Sequence, residues 1–188
     1  MPRIVETNEG FGIKQTFFFP AWSIEPDPKS IGNMPEGGHE VALHDYVHKN
    51  STVVGRVNEI YWWLRSIEII ERATGRYPRG WRVPLNNHSN HSAELLAEEG
   101  FLFDASLMGE YVPCVLRTNK GDIIELPAHW GVDGWPQFVQ FMDLDYMLQI
   151  KSAADGLDVS KKEFDAMWEY GGLFVSVWHP FCTGRLAR

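Results

Sequence analysis

The sequence predicts an α/β protein with a mainly parallel sheet. Short continuous apolar runs recur along the chain, as strands buried on both faces require. Segments with helical spacing separate them. Polar residues able to do chemistry fall repeatedly at the C-terminal ends of the runs: His44, His48, Arg82, Asp104, His129, Asp133 and His179. In barrels and open sheets of this class, ligands and catalysis gather at that rim.

Residues 1–12 are weakly patterned. Ile13 to Phe19 reads as a buried strand stopped by Pro20. Residues 21–37, with Pro26, Pro28 and Pro35, read as loop with a short helix at the centre. A short strand follows His39 and runs into a polar turn carrying His44 and His48. If a helical turn starts after His44, the two imidazoles share a face with β-carbons roughly 6 Å apart. That spacing suits two ligands of one divalent metal, and equally two surface histidines. Residues 49–55 are polar connector.

Residues 56–74 are the clearest helix. Val57, Ile60, Tyr61, Leu64, Ile67, Ile70 and Ala73 follow helical spacing, and Gly75 suits a left-handed stop. Residues 78–84 read as a short strand entering a loop. Ser89 or Ser92 is placed to cap a short helix closed by Gly100. Residues 101–104 form a candidate strand, 105–122 read as loop, and 123–127 as another strand. Residues 128–140 are rich in Trp, Gly and Pro. Ser160 and Glu163 match a capping box opening a helix through Phe164, Met167 and Trp168 to Gly171. Leu173 to Trp178 reads as a final buried strand delivering His179.

The chain has 188 residues and is 44% hydrophobic, enough for one domain with a sizeable core. Its net charge of −8 argues against a nucleic-acid partner. The apolar runs fall far short of the ~20 residues of a membrane span. Cys114 and Cys182 give no disulfide framework, which points to a reducing compartment. The first residues lack a signal-peptide core, so the expected location is cytoplasmic.

Five segments, in order, resemble the polysaccharide deacetylase (NodB homology) family. Gly12 to Pro20 is similar to its G-I-K-A-T-F-F-V-P strand. Gly38-His39-Glu40 through His48 resembles its G-H-E-I-x-x-H-x-x-x-H metal motif. Gly80-Trp81-Arg82-Val83-Pro84 resembles its G-x-R-A-P motif. Leu126 to Pro136 resembles E-L-P-x-x-W-x-x-D-D-W-P. Phe174 to Phe181 with Gly184 and Arg185 resembles x-x-x-H-P-x-x-x-G-R. The last two patterns point to the branch holding purine-type allantoinases, cyclic imide hydrolases and peptidoglycan deacetylases.

The resemblance implies a deformed (β/α) barrel, a divalent metal such as zinc, and hydrolysis of a non-peptide C–N bond. His44 and His48 match the metal histidines. His179 matches the general acid, Arg82 an arginine that orients base or substrate, and Asp133 a carboxylate beside the acid. A backbone N–H just after Pro84, that of Leu85, matches an oxyanion donor. Trp135, with Trp130 and Trp22, is placed either as an apolar substrate wall or as core. Arg82 can alternatively close a salt bridge, and Asp133 can cap a turn. His129 and Asp104 read as structural.

The chain departs from the family pattern in three ways. No segment matches the family's first motif, an Asp pair that supplies the base and third metal ligand. The sequence stops soon after Arg185, and Gly134 replaces the second Asp of D-D-W-P. The expectation is one domain over residues 1–188, truncated at both ends, with an incomplete barrel and a weakly held metal. A homodimer covering the exposed sheet edge is a further expectation. The substrate is expected to be an acetylated amino sugar of a glycan or a small cyclic imide or ureide. An inactive binding remnant is the alternative from another class.

Overall fold

The computed structural model describes residues 2–139 and 150–183, so Gly184 and Arg185 of the last motif lie outside the described residues. Its centre is a six-stranded sheet in the order β1-β2-β3-β4-β6-β5. The strands are β1 (Thr16–Phe19), β2 (Glu40–Leu43), β3 (Gly80–Trp81), β4 (Phe103–Asp104), β5 (Cys114–Thr118) and β6 (Gly121–Glu125). Neighbours are parallel from β1 through β4 to β6, and only β5 runs antiparallel, against β6. The predicted class is therefore observed.

The helices are α1 (Pro2–Gly10), α2 (Lys29–Gly32), α3 (Arg56–Thr74), α4 (Ser92–Glu98), α5 (Gly134–Phe138), α6 (Ala153–Tyr170) and α7 (Pro180–Thr183). None of the described helices is long and apolar enough to cross a membrane.

β2 shows why the class was legible. Val41, Ala42 and Leu43 are all buried, so side chains on both faces of the strand are covered, with α3 packed against it. α3 occupies residues 56–74 as its spacing predicts, and Gly75 closes it at φ 70°. Its buried face is different from the predicted stripe. Glu59, Trp63, Ser66, Ile67 and Ile70 point inward, while Val57, Tyr61 and Leu64 are exposed. The helix is apolar on more than one side, and polar bonds decide the face. Buried Glu59 accepts from Ser89 at 2.6 Å and from Ser92 at 2.7 Å. Those serines thus tie α4 to α3; neither acts as the side-chain cap expected of it.

Four other expectations are corrected. Residues 2–10 form a helix. The expected loop at 105–122 contains β5, which makes a hairpin with β6 through the tight turn Thr118–Gly121. α6 begins at Ala153 rather than beside Ser160; its real box, Ser152 with Asp155, lies eight residues before the expected one, and Ser160 bonds back to the Gly156 carbonyl. Both serine-acid pairs have the same spacing, so the pattern alone does not choose. Residues 173–178 form no strand among the described residues; Val177 makes an isolated parallel bridge to Asp133, outside the sheet.

Gly80 has a specific packing duty. A β-carbon built there would overlap the ring of Phe103 on the adjacent strand. Gly80→Ala is expected to destabilise the protein by about 1–3 kcal/mol through overpacking. Adding Phe103→Leu should recover part of that loss in a denaturant double-mutant cycle. Additive losses would show that the ring is not the obstacle.

Candidate active site

The sheet places the site through its hydrogen-bond ladder. Just past each strand the ladder continues by one bond. His44 N–H donates to Phe19 O at 3.1 Å, Arg82 N–H to Leu43 O at 3.0 Å, and Ala105 N–H to Trp81 O at 2.9 Å. His44 and Arg82 are thus the first residues beyond adjacent strands, on one rim.

The turn after His44 is not helical. Asp45 takes a left-handed conformation at φ 57°, which Asp tolerates better than most residues. Its carboxylate is buried and accepts from Trp63 Nε1 at 3.0 Å, Trp81 Nε1 at 2.8 Å and Ser51 Oγ at 3.1 Å. Burial nevertheless pushes its pKa up to about 6, against the opposing pull of those donors. The turn still brings His44 and His48 together, with ring centroids 5.1 Å apart and planes at 68°.

His44 Nδ1 lies 2.7 Å from the Arg82 carbonyl. A carbonyl can only accept, so Nδ1 carries the proton and Nε2 holds the lone pair. Burial lowers the pKa of His44 to about 3, assisted by the nearby charges of His48, Arg82 and His179. His48 is also lowered, first by burial and further by His179. Both rings are therefore neutral at pH 7, the state a metal ligand needs. His179 acts on both imidazoles, which places all three in one electrostatic neighbourhood.

On the other side, Asp133 caps α5 and does a second job. Its Oδ1 accepts from Trp135 N–H at 2.7 Å and lies 2.9 Å from His179 Nε2. The two roles weighed for Asp133 thus coexist. Trp135 packs edge-on to His179 at 5.7 Å and to Phe181 at 5.6 Å. Arg82 is buried; its Nε donates to Ala105 O at 2.7 Å, and its guanidinium lies 4.9 Å from the Phe18 ring centre. Burial pulls its pKa down, and Asp133, Asp104 and Glu125 oppose that. Arg82 is therefore tied to backbone and aromatic ring rather than to one salt-bridge partner. Pro84 is buried, and Leu85 beside it is exposed at φ 61°. His129 caps a local turn by accepting from Gly131 N–H at 3.1 Å.

Sequence reasoning missed a buried polar group under this rim. Asp104 and Glu125 end adjacent strands in register, and both are buried. Asp104 Oδ2 lies 2.7 Å from His88 Nε2, and Oδ1 accepts from the Ser106 hydroxyl. Glu125 Oε1 accepts from Leu107 N–H at 2.9 Å. Burial, then the Asp104 carboxyl beside it, holds Glu125 far above the ordinary carboxylate range. The signal was available: two acids at the ends of neighbouring apolar strands.

The His44 and His48 pair suits two positions of a divalent ion. No group of three metal-binding side chains occurs among the described residues. The residues present therefore do not complete a metal site, and two ligands fall short of the three that catalytic zinc sites use.

These features meet known proteins in one place. The sequence profile of the polysaccharide deacetylase family matches residues 1–103. The chain belongs to the polysaccharide deacetylase family. It is 28% identical to a peptidoglycan deacetylase of Helicobacter pylori, over 89% of this chain and 63% of that protein. It is 34% identical to a peptidoglycan deacetylase-like protein of Gibberella zeae, over 93% of this chain and 61% of the relative. The crystal structure of a polysaccharide deacetylase from Mycobacterium smegmatis superposes with a TM-score of 0.92 at 33% identity. That match covers 100% of this chain and 65% of the other. The chain thus spans less than two thirds of the length of each of these three.

Two predictions follow from this geometry. Zinc titrated calorimetrically into this chain should bind weakly, and His48→Ala should remove what binding there is. Tight one-to-one binding would contradict the two-ligand reading. Between its ordinary value of 4.5 and its raised value, folded Glu125 holds a proton that the unfolded chain releases. Its contribution to stability therefore falls as pH rises through that window. Denaturation at pH 5 and pH 8 should show a smaller loss for Glu125→Gln than for the wild type. Equal losses would mean that Glu125 ionises normally in the fold.

Proposed function

We propose that this chain builds the imidazole and proton-donor side of an amide-hydrolysing site that removes acyl groups from amino sugars of a glycan. The observation that carries it is the Asp133–His179 pair set beside His44 and His48 at one sheet rim. Family membership and the peptidoglycan deacetylases among the relatives support the substrate class.

Water oxygen adds to the acyl carbon while its proton passes to a base that has to come from groups not among the described residues; the C–N bond breaks, and the nitrogen leaves as an amine. His179 gives the leaving nitrogen its proton, and Asp133 holds the ring in position. Arg82 supplies a fixed positive charge at the rim, where negative charge develops on the acyl oxygen. Trp135 and Leu85 flank the substrate, and the Leu85 N–H is the backbone donor for that oxygen. His44 and His48 are the residues offered to a divalent ion. The remainder of its shell has to come from groups not among the described residues.

The test is acetate release from N-acetylated chito-oligosaccharides and peptidoglycan fragments, run beside ring opening of cyclic imides, with divalent metal supplied. Acetate release is expected, with His179→Ala lowering it about 10²–10⁴-fold, the usual worth of a general acid. Ring opening without acetate release would move the substrate class to cyclic amides. An unchanged rate in His179→Ala would remove the proton-donor role. Glycan binding without any turnover would make the chain a binding module.

A further inference from the structure

We propose that Asp104, through the Ser106 hydroxyl and His88, is a positioning residue that locks the loop Val83–His88 and thereby aims Arg82. Glu125 serves as its neutral neighbour. The proposal deepens the hydrolase reading and rests on it where it concerns turnover; the loop-anchoring part stands by itself.

The loop needs an anchor. Leu85 and Asn86 are consecutive non-glycine residues in the left-handed region, at φ 61° and 53°. A leucine is held there only when its surroundings over-determine it. Two contacts from Asp104 converge on the two ends of this loop. At the start, Val83 N–H donates to Ser106 Oγ at 2.8 Å, and the same hydroxyl donates onward to Asp104. At the far end, His88 Nε2 meets Asp104 Oδ2 at 2.7 Å while the His88 ring packs 5.2 Å from Trp81. Arg82 immediately precedes the anchored Val83. Its own Nε donates to the carbonyl of Ala105, the residue between Asp104 and Ser106. One strand end thus holds the arginine's side chain and the backbone on its C-terminal side.

A chain of bonds ending on a buried carboxylate is rigid only if the charge stays put. The groups that face Asp104 and Glu125 are Arg82 just past β3, His88 from the loop, and Cys114 of β5, the register partner of Glu125. Two buried carboxyls side by side do not both ionise. Glu125 takes the proton: its Oε1 accepts a backbone N–H, and its Oε2 makes no hydrogen bond of ordinary geometry. Asp104 is the carboxyl on which the Ser106 hydroxyl and His88 converge.

Amide hydrogen exchange on the intact chain tests this without needing turnover. Ser106→Ala should speed exchange of the Val83 amide at least tenfold, and Asp104→Asn should do the same across residues 83–88. Glu125→Gln, a neutral isostere, should stay within threefold of wild type, while Glu125→Ala should not. Unchanged Val83 exchange in Ser106→Ala, which preserves the carboxyl pair and is the variant most certain to fold, would overturn the proposal. So would a Glu125→Gln variant as disturbed as Glu125→Ala. In the deacetylation assay, Ser106→Ala should lower kcat at least fivefold with KM within twofold. A merely structural serine would leave kcat unchanged, and that result would end the positioning role. A wild type without turnover would count against the hydrolase reading alone, because the exchange data still decide the anchor.

Discussion

One buried carboxylate sets the shape of the rim. Asp45 ties a helix, a strand and a turn together by taking hydrogen bonds from Trp63 on α3, Trp81 on β3 and Ser51. Both indoles are buried, so their N–H groups have no water to fall back on and need this acceptor. The same residue turns the chain through its left-handed backbone. The outcome is local and consequential: His44 and His48, on either side of the turn, face each other at contact distance. Packing in the core and ligand geometry at the surface are thus two ends of one contact.

Around that turn the site is layered. The sheet ladder fixes the backbone of His44 and Arg82, and the Arg82 carbonyl in turn fixes the proton on His44. Asp133 and His179 come from later in the chain and pair with each other, and His179 is near enough to act electrostatically on both imidazoles. Beneath lie Asp104 and Glu125, buried acids that no ligand needs to contact. The described residues give two imidazoles toward a metal and stop there. The chain spans under two thirds of the length of the curated relatives it matches.

The sequence revealed most where a single constraint dominates. β2 is covered on both faces, so its residues are apolar throughout and read as a strand. His44, Arg82 and Asp104 followed from the ends of β2, β3 and β4, whereas Asp133 and His179 sit beyond segments that form no strand among the described residues; His44 with His48 followed from their spacing. A left-handed Asp45, rather than the helical turn that the spacing allowed, unites them. Patterns failed where two solutions compete. α3 is apolar on several sides, and hydrogen bonds from Ser89 and Ser92 to Glu59 select the buried face. Ser152–Asp155 and Ser160–Glu163 fit the same capping template. Asp104 reads as a turn residue because an acid after an apolar run usually faces water; its partners Ser106, His88 and Glu125 become visible only once the strands align.

His44 is a neutral imidazole, protonated on Nδ1 toward the Arg82 carbonyl, with its lone pair on Nε2 and the His48 ring beside it. Long-range ¹H–¹⁵N spectra of the histidine rings measure this directly. The account predicts the Nδ1–H tautomer for His44, still neutral at pH 5, with Nε2 of His44 and a nitrogen of His48 shifting together when zinc is added. An Nε2–H tautomer, or protonation of His44 near pH 6.5, would contradict it.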